Sequence, residues 1–306
     1  APAGLRYGPD PSSHTRCTIG GMIGNNACGS RALGYGRTAD TVRGLTVAFG
    51  TGELVSLPAG GGGGSPAARA LVDLVDGHLG SVRTGFGRFS RQVSGYALEH
   101  LLPERGRRVD RFLVGSEGTL AVVLDATLDL VERPASTLLV VLGYPTMAEA
   151  ADAVPALLAA TGDQDWRLVA CEGLDVRIVD LVRRRRPVPD LPAGSGWLFA
   201  EVTGATEETC RAGALRLVAS GGALGHRVVD DPSEAGELWR IRENGAGLAA
   251  RSLDRPAHAG WEDAAVPPEH LGAWLRDFED LLAGHGLDTV PYGHFGDGCV
   301  HARIDF

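Results

Sequence analysis

The spacing of apolar positions changes along the chain, and the changes divide it. From Thr137 onward, short apolar runs alternate with longer amphipathic ones. The pattern predicts strands at 137–144, 166–171, 196–202 and 226–230, with helices at 147–160, 174–185 and 206–219. Such alternation implies a sheet covered by helices, a ferredoxin-like α+β unit. Pro267 and Pro268 open a further helix in which Leu271, Trp274, Leu275, Phe278, Leu281 and Leu282 form one core stripe, stopped by Gly284 and Gly286. After a turn at Gly296, Asp297 and Gly298, the apolar residues Val300, Ala302, Ile304 and Phe306 alternate with His301, Arg303 and Asp305. That period of two is the mark of a half-buried strand.

Before Pro134 the pattern is less regular. "TVRGLTVAFGTGELVSL" predicts a hairpin turning at Gly50 to Gly52, residues 69–80 a helix, and 111–134 two strands. The stretch 58–68, "PAGGGGGSPAA", has the composition of a flexible surface loop, and it lacks the lysine that a nucleotide-hydrolase phosphate loop needs. Pro134 is the expected boundary between a domain at 1–134 and a second at 135–306.

Composition narrows the function classes. A hydrophobic content of 44% supports a substantial core, and a net charge of -9 with pI near 5.5 argues against a nucleic-acid surface. Every basic residue is Arg; the one cluster, Arg183 to Arg186, is expected as a solvated helix end. Cys17, Cys28, Cys171, Cys210 and Cys299 are scattered and odd in number, which predicts free thiols in a reducing compartment. No run approaches the roughly 18 apolar residues of a membrane span and no signal peptide is visible, so a cytoplasmic location is expected. The chain starts without Met and stops just after a strand, which leads us to expect flanking segments.

Two stretches carry candidate chemistry. In "PDPSSHTRCTIGGMIGNNACGSRALGYGRTADTVRGL" (9–45), Gly20, Gly21, Gly24 and Gly29 leave backbone amides uncovered among Thr18, Asn25, Asn26 and Ser30. Successive free N–H groups can cradle an anion such as a pyrophosphate. The G-x-G-x-x-G pattern of a Rossmann fold is absent. In "YGHFGDGCVH", His294 and His301 flank the turn, an arrangement that suits a metal, an anion or a merely structural hairpin; Cys299 alternates onto the apolar side.

The first of these stretches resembles the pyrophosphate-binding segment of the FAD-linked oxidase and dehydrogenase family, the vanillyl-alcohol-oxidase-like flavoproteins. "LVGSEGTLAVVLDATL" (113–128) resembles the family's second FAD-binding stretch. "YGHFGDGCVH", "RQVSGYALEHLLPE" (91–104) and "LWRIRENGAGLA" (238–249) are similar to the branch containing D-2-hydroxyglutarate dehydrogenase and the glycolate oxidase flavin subunit. The resemblance implies a partial two-part FAD-binding domain followed by a cap domain with a ferredoxin-like antiparallel sheet. It implies a first flavin subdomain before Ala1. After Phe306 it implies a Glu-His-Gly segment with a third metal ligand and the catalytic base, and a 4Fe–4S module as in bacterial fusion proteins.

For the site, the resemblance implies FAD contacts from Pro11, Cys17, Thr18, Ile19, Gly20, Gly21, Asn25, Asn26, Gly29 and Tyr35. On the other side it implies contacts from Gly115, Ser116, Glu117, Gly118, Thr119 and Val122. It implies a divalent metal such as Zn²⁺ on His294 and His301, and a substrate-carboxylate clamp at Arg242, which as a helix residue could instead pair with Glu237 or Glu243. Arg303 stands where relatives carry an amide and Trp261 where they carry a basic residue, so either Arg303 is the candidate for a distal carboxylate or the substrate is a different hydroxy acid, one with a larger apolar tail; Ala121 replaces a usual glycine. The implied activity is oxidation of a small-molecule D-2-hydroxy acid, with electrons passing to an iron–sulfur module or a quinone-linked acceptor and peripheral contact with the inner membrane through that acceptor. The rival expectations are a noncatalytic flavin-binding electron-transfer subunit and a flavin-free metal-binding or hydrolase module. A reductase of enolpyruvyl sugars fits the histidine motif poorly.

Overall fold

The computed structural model describes residues 3–59, 64–93, 95–162 and 165–306, with the side chains of 246 and 260–263 outside that description. The glycine run at 60–63 and the Trp261 side chain, both named above, therefore lie outside the described residues. The chain divides into two compact units, Ala1–Arg133 and Pro134–Phe306, each mixing helices with antiparallel sheet in an α+β arrangement.

In the first unit, the elements are β1 (Leu5–Arg6), α1 (Ile19–Gly24), α2 (Ala32–Tyr35), α3 (Thr38–Thr41), β2 (Val42–Phe49), β3 (Leu54–Pro58), α4 (Pro66–Asp76), α5 (Leu79–Gly85), α6 (Val109–Leu113), β4 (Ala121–Leu128) and β5 (Val131–Glu132). The predicted hairpin is β2–β3, with Ala48 opposite Leu54. β4 pairs along the other edge of β2, giving the order β3-β2-β4. The inward residues Leu45, Val47, Phe49 and Leu57 meet Leu101, Phe112 and Leu113 in one core. One expectation is corrected here. The helix expected at 69–80 is two, because the chain leaves α4 at Gly77. The two strands expected in 111–134 are β4 and β5, preceded by the end of α6, where Phe112 and Leu113 are buried on a helical turn.

The second unit contains β6 (Ser136–Tyr144), α7 (Met147–Ala159), β7 (Trp166–Asp175), α8 (Val176–Arg183), β8 (Gly196–Gly204), α9 (Glu207–Ser220), β9 (Gly225–Val229), α10 (Pro232–Glu243), α11 (Gly245–Ala249), β10 (His258–Ala265), α12 (Leu271–Gly284), β11 (Thr289–Tyr292) and β12 (Cys299–Ile304). The strand order β7-β8-β6-β9, antiparallel throughout, is the ferredoxin-like arrangement with α8 added between the second and third strands. Helices start where side chains satisfy their first amides: Thr146 Oγ1 accepts from Glu149 N at 3.1 Å, and Asp175 Oδ1 from Arg177 N at 2.8 Å. A second sheet, β10-β12-β11, places β12 at its centre.

In α12, Leu271, Leu275, Phe278 and Leu282 are buried, but Leu281 is 58% exposed. At about 100° per residue, Leu281 falls at the outer edge of the stripe, about 100° from Leu282. Phe306, expected inside, is 65% exposed, because the strand ends at Ile304 and the alternation stops with the pairing; its ring stacks on His258 instead. Arg183 to Arg186 are exposed at the end of α8, as expected. Among the described residues, no helix is long and apolar enough to cross a membrane.

Candidate functional site

In the first unit the glycine-rich segment forms the short helices α1, α2 and α3. Thr18 caps α1, its hydroxyl accepting from Gly21 N at 3.1 Å, and Thr18 to Gly21 are exposed. Around Gly20 and Gly24 there is open space where a Cβ would stand, so the main chain there is accessible to a ligand. The distant motif at 115–119 is brought onto the end of this helix. Gly115 N donates to Ile23 O at 2.9 Å and Glu117 N to Gly24 O at 3.0 Å. The turn depends on left-handed backbone at Gly115 (φ 83°), Glu117 (52°) and Gly118 (75°). A Cβ on Gly115 would stand 3.0 Å from that of Asn26.

Other residues expected at the cofactor also make contacts within the unit. Asn26, itself left-handed at φ 48°, accepts from Ala39 N through Oδ1 at 3.0 Å. Gly29 lies against the Asp10 carbonyl, and the Tyr35 ring lies under the Arg6 guanidinium at 4.7 Å. The Pro11 carbonyl accepts from His14 N and the half-buried Cys17 donates its N–H to Ser13 O. Asn25 and Ser116 flank the turn, Thr119 Oγ1 lies 2.9 Å from the Tyr96 hydroxyl, and Ile19 and Val122 are exposed apolar residues beside it. Uncovered glycine amides next to exposed apolar side chains suit a ligand with an anionic linker and an aromatic ring.

In the second unit the histidine turn is a single 3₁₀ turn, Phe295–Asp297, closed by Gly298 at φ 71°. β11 and β12 pair Tyr292 with His301, and the His294 and His301 rings lie 5.3 Å apart between centroids. A bridge between Gly173 on β7 and Gly293 joins the two sheets and sets Glu172 beside His294. His294 Nδ1 lies 3.0 Å from Glu172 Oε1, and Arg242 Nη2 is ion-paired with Glu172 Oε2. The Arg242 guanidinium also stands over the Tyr292 ring at 5.5 Å. All three partners are buried: Glu172 at 1%, Arg242 at 5% and His294 at 9% exposure.

Arg242 thus pairs with neither Glu237 nor Glu243, since α10 turns it inward onto β7; Glu237 faces Arg240. Glu172 was not singled out by sequence reasoning. Its signal is a lone carboxylate in the apolar strand "WRLVACEGLD". Arg303 shares the His301 face of β12, two residues on. Burial, reinforced by Glu172 and Asp297, pushes the Cys171 thiol far up, so it remains protonated and Cys171 acts as core.

The chemistry of the donor set suits a divalent metal at two positions. A histidine that gives Nδ1 to a buried carboxylate presents Nε2 outward, and a second imidazole stands next to it. No group of three or more His, Cys, Asp or Glu side chains suited to a metal ion is present among the described residues, so these residues complete neither a zinc site nor an iron–sulfur site.

Comparison with known proteins gives a consistent result. Residues 133–306 match the family of FAD linked oxidases, C-terminal domain, and residues 1–58 match an FAD binding domain family. The chain is 27% identical to a D-2-hydroxyglutarate dehydrogenase of Pantoea ananatis, over 99% of this chain and 32% of the relative. It is 28% identical to glycolate oxidase subunit GlcD of Bacillus subtilis, over 97% of the chain and 54% of the relative. It is also 26% identical to a D-lactate dehydrogenase of Archaeoglobus fulgidus, over 97% and 56%. It therefore spans about a third to a half of the length of these curated relatives. Among solved structures, an alkyldihydroxyacetonephosphate synthase shares the fold with a TM-score of 0.62 at 14% identity, over 99% of this chain and 53% of that one. With its whole second unit matched, the chain belongs to the FAD-linked oxidase family.

Proposed function

We propose that the chain is part of an FAD-dependent dehydrogenase that oxidises a D-2-hydroxy acid to the 2-oxo acid, with an iron–sulfur or quinone-linked acceptor taking the electrons onward. The observation that carries this reading is the buried Arg242–Glu172–His294 arrangement beside His301, in a chain of the FAD-linked oxidase family. Bound FAD supplies the acceptor for the hydride that leaves C2 of the substrate. A divalent metal such as Zn²⁺, held by His294, His301 and a further ligand, would supply the Lewis acidity that lowers the pKa of the substrate hydroxyl.

The residues of the chain bind and orient. Gly20 and Gly118, both exposed and with open space at their Cα, offer main-chain amides to the FAD pyrophosphate, while the amides of Gly21, Gly115 and Glu117 are held within the fold and shape the turn around them. Arg242 is held rigid by Glu172, and its buried Nε has no hydrogen-bond partner among the described residues, which leaves a donor for the C1 carboxylate. Arg303 supplies a second cation for a distal carboxylate. The relatives named for 2-hydroxyglutarate, lactate and glycolate support this substrate class, since those compounds share one α-hydroxy carboxylate unit.

The test is to purify the protein as its full natural chain and add D-2-hydroxyglutarate, D-lactate or glycolate anaerobically while recording the visible spectrum. Bleaching of the flavin band that His294→Ala or a chelator abolishes is expected. A colourless protein that binds zinc would overturn the proposal in favour of the flavin-free module.

A further inference from the structure

We infer that Glu172 is a positioning residue, which fixes the tautomer of His294 with one carboxylate oxygen and the orientation of Arg242 with the other. The inference rests on the proposed function in taking His294 as a ligand to metal and Arg242 as a ligand to substrate.

The first argument is hydrogen-bond direction. A carboxylate ion-paired with a guanidinium accepts but does not donate. Across the 3.0 Å contact, His294 must therefore donate from Nδ1. A neutral imidazole has one N–H, so Nε2 is left with its lone pair, the state a metal requires. Without Glu172 the ring is free to exchange tautomers and rotate.

The second argument is what the fold gives up to make the contact. Glu172 sits in β7 among Cys171 and Leu174, both at most 1% exposed, and burying a carboxylate carries a large desolvation penalty before any pairing. An ordinary core strand would carry an apolar residue there. The approach of β7 to Gly293 also requires glycines: a Cβ on Gly173 would stand 2.5 Å from the Phe295 ring, and one on Gly293 2.9 Å from Cys299 O. A role limited to balancing Arg242 would need neither the bridge nor the second oxygen. The carboxylate is divided instead, Oε1 to His294 and Oε2 to Arg242. It thereby ties the two groups that would hold the hydroxyl side and the carboxylate side of one hydroxy acid.

The experiment compares the full natural chain with Glu172→Gln, which keeps the volume and one acceptor but loses the charge, and with Glu172→Asp, which keeps the charge at a shorter reach. Zinc affinity is measured by competition with a chromophoric chelator, and the Co²⁺-loaded protein by its visible bands. Glu172→Gln is expected to weaken zinc binding about 10- to 100-fold and to shift the Co²⁺ bands. Glu172→Asp is expected to recover part of the affinity, with flavin content the same in all three. A folded Glu172→Gln with unchanged zinc affinity and Co²⁺ spectrum overturns the inference. If the variants do not fold, ¹⁵N-histidine correlation spectra of the metal-free wild type decide: the Nδ1–H tautomer at His294 is expected, and Nε2–H overturns it. Absence of flavin bleaching by any hydroxy acid would overturn the proposed function, while the zinc and tautomer readings would still judge the role of Glu172.

Discussion

Gly173 and Gly293 exchange both of their backbone hydrogen bonds, Gly173 N donating to Gly293 O at 2.8 Å and Gly293 N to Gly173 O at 3.2 Å. The pair is a single antiparallel bridge, and it is where the ferredoxin-like sheet meets the sheet that carries the histidines. Through it Glu172 and His294, 122 residues apart in sequence, become hydrogen-bond partners.

Gly173→Ala is therefore expected to act on the site as well as on stability. The new methyl meets the fully buried Phe295 ring, and overpacking of this kind costs about 1–3 kcal/mol. Urea denaturation should show the loss, and zinc affinity should fall in the protein that remains folded. Normal stability together with normal zinc binding would show that the bridge tolerates separation.

Gly29→Ala tests the corresponding close approach in the first unit. A Cβ there would stand 2.2 Å from the Asp10 carbonyl oxygen, so the chain must part at the segment that leads from α1. The Asp10 carboxylate is in turn paired with Arg31 at 2.5 Å, which ties the same strand of chain a second time. A stability loss of about 1–3 kcal/mol is expected, with lower flavin retention on purification, read as the ratio of flavin to protein absorbance. Full flavin occupancy would separate this packing from the cofactor cradle.

Stability should fall in mild acid because of His100. Burial, with the nearby Arg37 guanidinium adding to it, lowers its pKa from 6.5 to about 4. The unfolded chain therefore takes up a proton at higher pH than the folded one. The stabilisation is fully present above about 6.5 and is lost as pH falls toward about 4, on the order of 3 kcal/mol in all. Denaturant titrations at pH 7 and pH 4.5 should show a smaller drop in His100→Gln than in the wild type. Equal drops would place the acid sensitivity elsewhere.

Much of this architecture was legible in the chain. The alternation after Pro134 predicts β6 to β9 and the helices between them because β6, β7 and β8 bury nearly every residue and the helices between them present apolar residues to the sheet. His294 and His301 were legible as a pair because only six residues, with a glycine turn among them, separate the two. Glu172 was not legible, since the strand predicted at 166–171 stops one residue short of it and its partners arrive from α10 and from beyond β11. Sequence spacing carries no information about contacts made through a bridge of two glycines. The ion-pair partner of Arg242 was hidden for the same reason: its helical neighbours suggested Glu237 and Glu243, and tertiary packing supplies Glu172 instead.

Arg303 offers the sharpest functional test. It lies on β12 opposite Val290 and Ala259, on the same face as His301, so a side chain that reaches the histidines also reaches whatever they hold. A guanidinium on a distal carboxylate contributes roughly 1.5–3 kcal/mol as a charged hydrogen bond, or about 10- to 100-fold in affinity. Arg303→Gln should therefore raise KM for D-2-hydroxyglutarate by that factor and leave KM for D-lactate, which has no second carboxylate, within about threefold of wild type. Equal losses on both substrates would mean that Arg303 supports the strand rather than the substrate. A loss confined to D-lactate would assign it to the carboxylate that both share, in place of Arg242.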